Sequence, residues 1–212
     1  MSEEPGESDG GERRRYESLR RTAQAQETRA EIARAARQLF LDRGWSATTV
    51  RDVAREAGVS VPTVYATYGN KTGLALALAD AADLSADLPR LLDELASADP
   101  RGQLAAMAAY DRRLYERAGD VIGLVRDAGR TEPDLASTYV DGRRRADEAH
   151  RQVFTSWPAG TLRMEVDQAL DVYAALCTID VFTTLTGERS WSPDQVQSWW
   201  AETLPRLLLT EE

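Results

Sequence analysis

The chain has 212 residues, a formal net charge of −9 at pH 7 and 42% hydrophobic residues. This length is enough for a small domain and a larger core, and the single cysteine, Cys177, excludes an internal disulfide and favours a reducing cytoplasm. The acidic N-terminus lacks the apolar segment of a secretion signal, and no apolar run approaches the roughly 20 residues that span a bilayer. We therefore expect a cytoplasmic protein with no membrane partner.

Charge changes sign along the chain. Residues 1–12 contain five acids and no bases, residues 13–71 contain twelve bases and six acids, and residues 72–212 contain fourteen bases and twenty-four acids. The positive charge is thus concentrated in one segment, where the local potential favours a polyanionic partner despite the negative total.

Residues 1–24 are interpreted as a disordered tail followed by a basic arm, because Gly, Glu and Ser dominate the start of the tail. The arm contains Arg13, Arg14, Arg15, Arg20 and Arg21. Two interpretations of the arm stay open. It is either a solvated, mobile run of charge or a segment that lies on a nucleic-acid backbone or in a minor groove.

Residues 25–71 are assigned to a small domain of three helices. The first helix is expected from about Thr28 to Arg43, and Trp45 is expected to close the core beside it. The buried face of this helix consists of Ile32, Ala36, Leu39 and Phe40.

The next two helices form a helix-turn-helix pattern. Thr49 is a favoured N-cap for the first of them, and Gly58 tolerates the positive φ of a sharp turn. Ser60 is a second N-cap candidate, and Pro62 suits the first turn of a helix. The inward face of this second helix is expected to consist of Val64 and Tyr68. Two short helices at this spacing are typical of proteins that place the second helix in the major groove of DNA.

Polar side chains remain on the outward face of the second helix. Thr63, Tyr65 and Thr67 carry hydroxyls that can bind phosphates or base edges. Asn70 and Lys71 follow, and they are the only asparagine and the only lysine of the chain. A lysine in the first turn of a helix lies beside free backbone N–H groups, so we expect Lys71 to bind a phosphate. The alternative is a solvated helix end.

The rest of the chain, residues 72–212, reads as helix without strand patterns. A connecting helix is expected from Asn70 toward Leu84, and the last helix begins at Ser192 and Pro193, an N-cap followed by proline. The amphipathic segments beyond Pro100 are expected at about 101–117, 119–128, 132–156, 164–187 and 193–209. The fold class is therefore all-α.

Residues 28–84, with the stretch TTVRDVAREAGVSVPTVYATYGNKTGL, resemble the TetR (tetracycline-repressor) family of transcriptional regulators. The resemblance implies an N-terminal helix-turn-helix domain and a C-terminal helical domain for effector binding and dimerisation. It implies DNA contacts at the start of the first short helix and on the second. These contacts are assigned to Thr49, Arg51, Val61, Pro62, Thr63, Tyr65, Thr67 and Lys71. Val61 stands where many members have a polar base-reading residue, so its contact is restricted to apolar groups such as a thymine methyl.

The same resemblance implies a homodimer, a near-palindromic operator and an unknown small-molecule effector. The dimer interface is assigned to Leu170, Phe182, Val196, Trp199, Trp200, Leu204 and Leu207. The effector pocket is assigned to Met107, Tyr110, Leu114, Tyr139, Phe154, Trp157, Tyr173 and Cys177, although ordinary core packing explains each of these residues as well.

The sequence thus favours a dimeric regulator, most simply a repressor released from DNA by its effector. The alternatives are a ligand-independent helical module that binds another protein and, less favoured, a small helical enzyme. Neither a catalytic motif nor a metal-binding pattern is recognisable, so we expect no enzyme activity, no cofactor and no metal. His150, the only histidine, is expected at the surface or at a cap, although an effector contact stays open.

Overall fold

The computed structural model describes residues 9–83 and 86–211, with side chains for 20–81 and 86–211. Within these ranges the elements are helical and there is no strand, which confirms the all-α fold class. The helices are α1 (Asp9–Arg43), α2 (Val50–Glu56), α3 (Val61–Tyr68), α4 (Lys71–Asp83), α5 (Leu88–Ser97), α6 (Pro100–Ala128), α7 (Pro133–Ser156), α8 (Val166–Leu176), α9 (Ile179–Thr183) and α10 (Pro193–Leu208).

The chain forms two compact units, Met1–Leu74 and Ala75–Glu212. In the first unit, α1 packs on α2, and α2 packs on α3. The core of this unit consists of Ile32, Ala36, Leu39, Phe40, Val53, Ala54, Val64 and Leu74, all buried. Thr48 is buried with them because its hydroxyl donates to the carbonyls of Leu39 and Gly44, each at 3.0 Å, which satisfies the end of α1.

The first helix is longer than the sequence pattern suggests. It begins at Asp9 instead of Thr28, so residues 9–24, expected as a tail and a flexible arm, are helical, while residues 1–8 lie outside the described part. The segment contains five arginines and two glutamates, which favour helix, and no proline occurs between Pro5 and Pro62. Charge composition alone indicated disorder because the segment has few apolar residues to bury.

The core of the second unit lies where α6 packs against α10. Its largest fully buried side chains are Trp200, Tyr173, Phe154, Leu104, Leu135, Leu204 and Leu208. Helix α6 is continuous from residue 100 to 128, although a break near residue 118 was expected. Gly119 allows close packing inside the helix rather than a turn, since a Cβ on Gly119 would lie 2.7 Å from Cδ1 of Ile179 and the isoleucine side chain would have to shift.

The segment expected as one helix over residues 164–187 is broken. Helix α8 ends at Leu176, Thr178 caps α9, and a π-helical turn follows at Thr184–Glu188. Trp200 Nε1 donates to the carbonyl of Leu176 (3.1 Å), and the Tyr115 hydroxyl donates to the carbonyl of Cys177 (2.9 Å). These two bonds satisfy carbonyls that the end of α8 leaves without helical partners.

One apolar stretch in the described ranges, Val166–Glu188, is long enough to cross a membrane by length and composition, contrary to the expectation that none exists. The same stretch supplies Leu170, Tyr173, Cys177, Ile179 and Phe182 to the core of the second unit. Packing inside the protein therefore accounts for these five residues, and the break after Leu176 interrupts the stretch.

Helix α5 was not anticipated from the sequence. Asp87 caps it in a left-handed conformation (φ 62°), and Leu91 and Leu95 pack against the core. Leu88 and Leu92 lie on the same apolar face of the helix but are exposed. The cap at Ser192 and the proline at the start of α10 are confirmed, with Ser192 and Gln195 forming a reciprocal capping box.

Replacing Gly73 with alanine should destabilise the first unit. A Cβ at this position would overlap the backbone oxygen of Tyr68, so the end of α3 and the start of α4 would have to move apart. We expect the free energy of unfolding to fall by about 1–3 kcal/mol. The measurement is urea denaturation followed by circular dichroism.

Gly123→Ala in α6 is the matched control, because a Cβ there meets nothing within 4 Å. This change should raise the free energy of unfolding by up to about 1 kcal/mol, since alanine favours helix more than glycine does. Similar effects from the two substitutions would refute the steric explanation.

Candidate DNA-reading surface and interior cavity

Side-chain caps fix the start of each helix in the turn region. The Thr49 hydroxyl accepts from the backbone N–H of Asp52, and the Asp52 carboxylate accepts from the backbone N–H of Thr49. The Asp52 carboxylate also accepts from the Thr49 hydroxyl (2.5 Å) and from Arg55 (2.7 Å). The three bonds to the carboxylate lower the pKa of Asp52 to about 2, and the bond from the Thr49 side chain contributes most. Gly58 takes φ 67° in the turn, and Ser60 caps α3 by accepting from the N–H of Thr63.

Helix α3 is held against α1 through its inward face. Val64 is buried, and the Tyr68 hydroxyl donates to the backbone carbonyl of Arg29 at 2.8 Å. The Arg29 guanidinium lies 4.6 Å from the centre of the Tyr68 ring and donates to the carbonyl of Thr67. These contacts fix the rotation of α3 about its own axis, and therefore which side chains face outward.

The predicted DNA-binding residues differ in how far they are exposed and in whether their hydroxyls already form hydrogen bonds. Arg51, Pro62 and Tyr65 are exposed, Tyr65 by 50%. Thr63 and Thr67 are half-buried. Their hydroxyls are engaged locally, Thr63 with the Ser60 hydroxyl and Thr67 as a donor to the Thr63 carbonyl, each at 2.7 Å. Thr49 is exposed but serves as the cap of α2, and Val61 is half-buried.

Lys71 makes contacts that the sequence did not suggest. Its Nζ donates to the backbone carbonyl of Trp45 and lies 4.1 Å from the centre of the Trp45 ring. The Trp45 ring in turn packs on Phe40, with centroids 5.2 Å apart. Lys71 therefore joins the start of α4 to the loop after α1 by a hydrogen bond and a cation–π contact. Asn70 caps α4 as expected, accepting from the N–H of Gly73 at 2.7 Å.

Five of the eight residues assigned to an effector pocket lie in the buried core and outside the lining of the cavity described below. Met107, Phe154, Trp157, Tyr173 and Cys177 belong to the buried cluster of the second unit. Leu114 and Tyr139 line a cavity of about 300 Å³ in the same unit, and Tyr110 is half-buried outside its lining. Sequence periodicity identifies the face of a helix that is buried. It does not show whether that face lines a cavity or packs directly against other side chains.

The cavity has an apolar wall and a polar one. The apolar wall is formed by Ala79, Leu114, Val121, Ile122, Val125, Ala146 and Ile179. The polar side consists of Asp80, Tyr115, Thr138, Tyr139, Asp141, Arg143 and Arg145. Helix α7 presents Tyr139, Gly142, Arg143 and Ala146 at spacings of three and four residues, so they share one face. From the sequence, the arginine-rich pattern of α7 is explained equally well by an anionic ligand and by a solvated helix face.

A buried polar cluster lies in the same unit. The Tyr173 hydroxyl donates to Oδ2 of Asp111 at 2.8 Å, and both residues are buried. Burial raises the pKa of Asp111 to about 7, while Tyr173 and the charge of Arg143 act in the opposite direction. His150 is not a surface residue with a free ring, because its ring packs 4.5 Å from that of Tyr173 and burial lowers its pKa to about 4.

Five residues assigned to the dimer interface lie in this core as well. Leu170, Phe182, Val196, Trp200 and Leu204 are buried within a single chain, so their side chains are not accessible to a second copy. Adjacent positions on α10 explain the difference, since Trp200 faces α6 and α8 while Trp199 points aside. Trp199 is half-buried and packs edge-on against Trp191 at 6.1 Å, and Leu207 is exposed by 41%.

Comparison with known proteins links the N-terminal geometry to a family. A model described as bacterial regulatory proteins, tetR family, matches residues 32–78. The HTH-type transcriptional regulator TtgR of Pseudomonas putida is 41% identical over 86 residues, 40% of this chain and 41% of that protein. The matched region thus spans less than half the length of this relative.

Solved structures extend the likeness in fold to most of the chain. A regulator from Saccharomonospora viridis in complex with choline has a TM-score of 0.71 at 23% identity, covering 88% of this chain and 100% of that one. NalD, described as the secondary repressor of the MexAB-OprM multidrug efflux pump in Pseudomonas aeruginosa, has a TM-score of 0.67 at 23% identity, covering 90% and 100%. The likeness in fold therefore includes the helical architecture of the second unit as well as the helix-turn-helix domain.

The raised pKa of Asp111 makes a specific pH dependence testable. Between about pH 4 and pH 7 the folded chain keeps a proton on Asp111 that the unfolded chain has released, so this group lowers stability as the pH rises. Asp111→Asn removes that loss and keeps an acceptor for Tyr173. The free energy of unfolding of the variant relative to the original protein should therefore increase with pH, by at most roughly 1.4 kcal/mol per unit.

The measurement is denaturation at about pH 4.5, 5.5 and 6.5. His150 acts oppositely in the original protein, since its lowered pKa favours the folded state as the pH rises toward 6.5. With Asp111 removed, the contribution of His150 should be uncovered. Asp171→Asn on the exposed side of α8 is the control, and an equal pH trend in both variants would contradict the assignment.

Proposed function

Because the chain belongs to the tetR family of bacterial regulatory proteins, we propose that it is a dimeric transcriptional repressor released from its operator by a small molecule. The observation that carries this proposal is the helix-turn-helix with α3 locked against α1 and an exposed face of Arg51, Pro62 and Tyr65. A rigid, exposed second helix is what insertion into a major groove requires.

Electrostatics support binding to DNA. Residues 13–71 contain twelve bases and six acids, whereas residues 72–212 are acidic. Arg51 would bind a base edge or a phosphate, Tyr65 a phosphate, and Pro62 would lie near the base edges. Lys71 would bind a phosphate as a cation in the first turn of α4, beside the backbone N–H groups of the helix start. Val61, Thr49, Thr63 and Thr67 remain candidate contacts of lower accessibility.

The cavity in the second unit supports release by a small molecule. Its volume of about 300 Å³ lies at the lower end of the range for ligand sites. The regulator from Saccharomonospora viridis, which has a similar fold, was solved with choline. An effector that binds a conformation unsuited to DNA more tightly than the DNA-bound one would relieve repression, since only such a difference in affinity shifts the equilibrium.

Dimerisation would use the side of α10 that remains accessible in one chain. Trp199, Leu207 and the neighbouring Trp191 offer apolar surface there, beside a shallow groove lined by Asp194, Gln195, Ser198 and Glu202. A twofold dimer reads two equivalent half-sites, so the operator would be nearly palindromic.

Arg51→Ala and Tyr65→Ala should both weaken operator binding. The operator is first selected from random duplexes, and affinity is then measured by fluorescence anisotropy at several salt concentrations. Loss of a phosphate contact at Arg51 should reduce the slope of log affinity against log salt by about one, with weaker binding at low salt. Tyr65→Ala should weaken binding by roughly tenfold through loss of a charge-assisted hydrogen bond.

Arg206→Ala, at an exposed position of α10, provides the control of equal charge. Its affinity and salt slope should match those of the unmodified protein. If no duplex is enriched in the selection, the proposal of a sequence-specific regulator fails. If a duplex is enriched but neither substitution affects binding, the proposal of a sequence-specific regulator is retained and the assignment of Arg51 and Tyr65 as DNA contacts is wrong.

Leu207→Glu should separate the dimer. An exposed leucine on the proposed interface would place an unpaired carboxylate in an apolar contact, which is unfavourable. Analytical ultracentrifugation should show a shift from about twice the 23.4 kDa chain mass toward a single chain. Leu92→Glu on α5, where the leucine is exposed by 58%, is the control and should leave the mass unchanged. A Leu207→Glu protein that stays dimeric would show that the dimer interface does not include Leu207.

A further inference from the structure

We propose that the cavity of the second unit takes an amphipathic anion, with its apolar body against α6 and α9 and its carboxylate, or a group of the same charge, on Arg143. This inference rests on the proposed function, because it names the class of effector that the same cavity would bind.

The apolar wall determines the kind of group that can form the body of the ligand. Leu114, Val121, Ile122 and Val125 come from one side of α6, and Ile179 comes from the start of α9. No carboxylate, amide or cationic group occurs among these side chains, so the wall favours an alkyl or aryl group. The volume of about 300 Å³ limits that group to the size of a short chain or a small ring system.

Arg143 sets the charge of the ligand. It lies in the centre of the cavity-facing side of α7, one turn after Tyr139 and half-buried. It forms no hydrogen bond or ion pair within residues 20–81 and 86–211, whereas the neighbouring Arg144 pairs with Asp141 at 3.5 Å. The charge of Arg143 also lowers the pKa values of both Asp111 and His150, as expected for a guanidinium that faces the interior. A planar guanidinium with unused donors is suited to a carboxylate.

The acids around the cavity do not favour a cation instead. Asp80 is exposed and Asp141 is exposed and paired with Arg144. The buried acid Asp111 accepts from Tyr173 and is not among the residues that line the cavity. A cation inside the cavity would therefore meet the positive charge of Arg143 without a buried counter-charge. In this respect the chain is expected to differ from its choline-bound structural neighbour.

The test compares three probes with the same tail: octanoate, octanamide and octyltrimethylammonium. Isothermal titration calorimetry on the full chain without DNA should show the tightest binding for octanoate. Arg143→Gln should weaken octanoate binding by about tenfold or more and leave octanamide binding unchanged, because only the anion loses a charged partner. Arg143→Lys should retain part of the octanoate affinity.

Arg151→Gln on the same helix, where the arginine pairs with Asp167 outside the cavity lining, is the matched control and should bind octanoate like the unmodified protein. Circular dichroism melts establish that each variant is folded. Stronger binding of octyltrimethylammonium or octanamide, or octanoate binding that Arg143→Gln leaves unchanged, overturns the inference.

A parallel operator-release assay separates this inference from the proposed function. Octanoate that binds in an Arg143-dependent way without releasing DNA supports the anion site and counts against the repressor mechanism. Release by octanamide or octyltrimethylammonium, together with weaker octanoate binding, supports the mechanism and overturns the anion site.

Discussion

The break between α8 and α9 is the feature on which the second unit depends. An uninterrupted helix would carry residues 177–187 onward along the axis of α8. Instead, Trp200 and Tyr115 donate to the carbonyls of Leu176 and Cys177 that the break exposes. The chain can then turn, so that Ile179 packs over Gly119 and closes one side of the cavity. Two aromatic side chains thereby satisfy polar groups and fill the core at once, which an aliphatic residue at either position could not do.

The first unit depends in the same way on contacts between residues that are distant in sequence. Tyr68 and Arg29 fix the recognition helix against α1, and Lys71 and Trp45 fix the next helix to the loop after α1. Both pairs combine a hydrogen bond to a backbone carbonyl with a cation over an aromatic ring. Because they act at the two ends of the α3–α4 junction, these side chains fix the position of α3 relative to α1.

Local signals explain what the sequence predicted well. Caps at Thr49, Ser60 and Ser192 and the glycine turn at Gly58 depend on neighbouring residues only, and each lies where expected. The continuity of α6 through Gly119 and the end of α8 depend on partners far away in the chain, which a single sequence does not reveal. The same limit applies to sites. Periodicity indicated that Phe154 and Trp200 are buried, but not whether core, cavity or partner covers them.

The position of the only lysine has a chemical consequence. Apart from the N-terminal amine, Lys71 provides the single primary amine of the chain, and it lies at the junction between the recognition helix and α4. Its ammonium is engaged by the Trp45 carbonyl and ring, which lowers its availability to acylating reagents. The rate of reductive methylation at this one residue, followed by mass spectrometry, is therefore a site-specific probe of the junction, with no background from other side-chain amines.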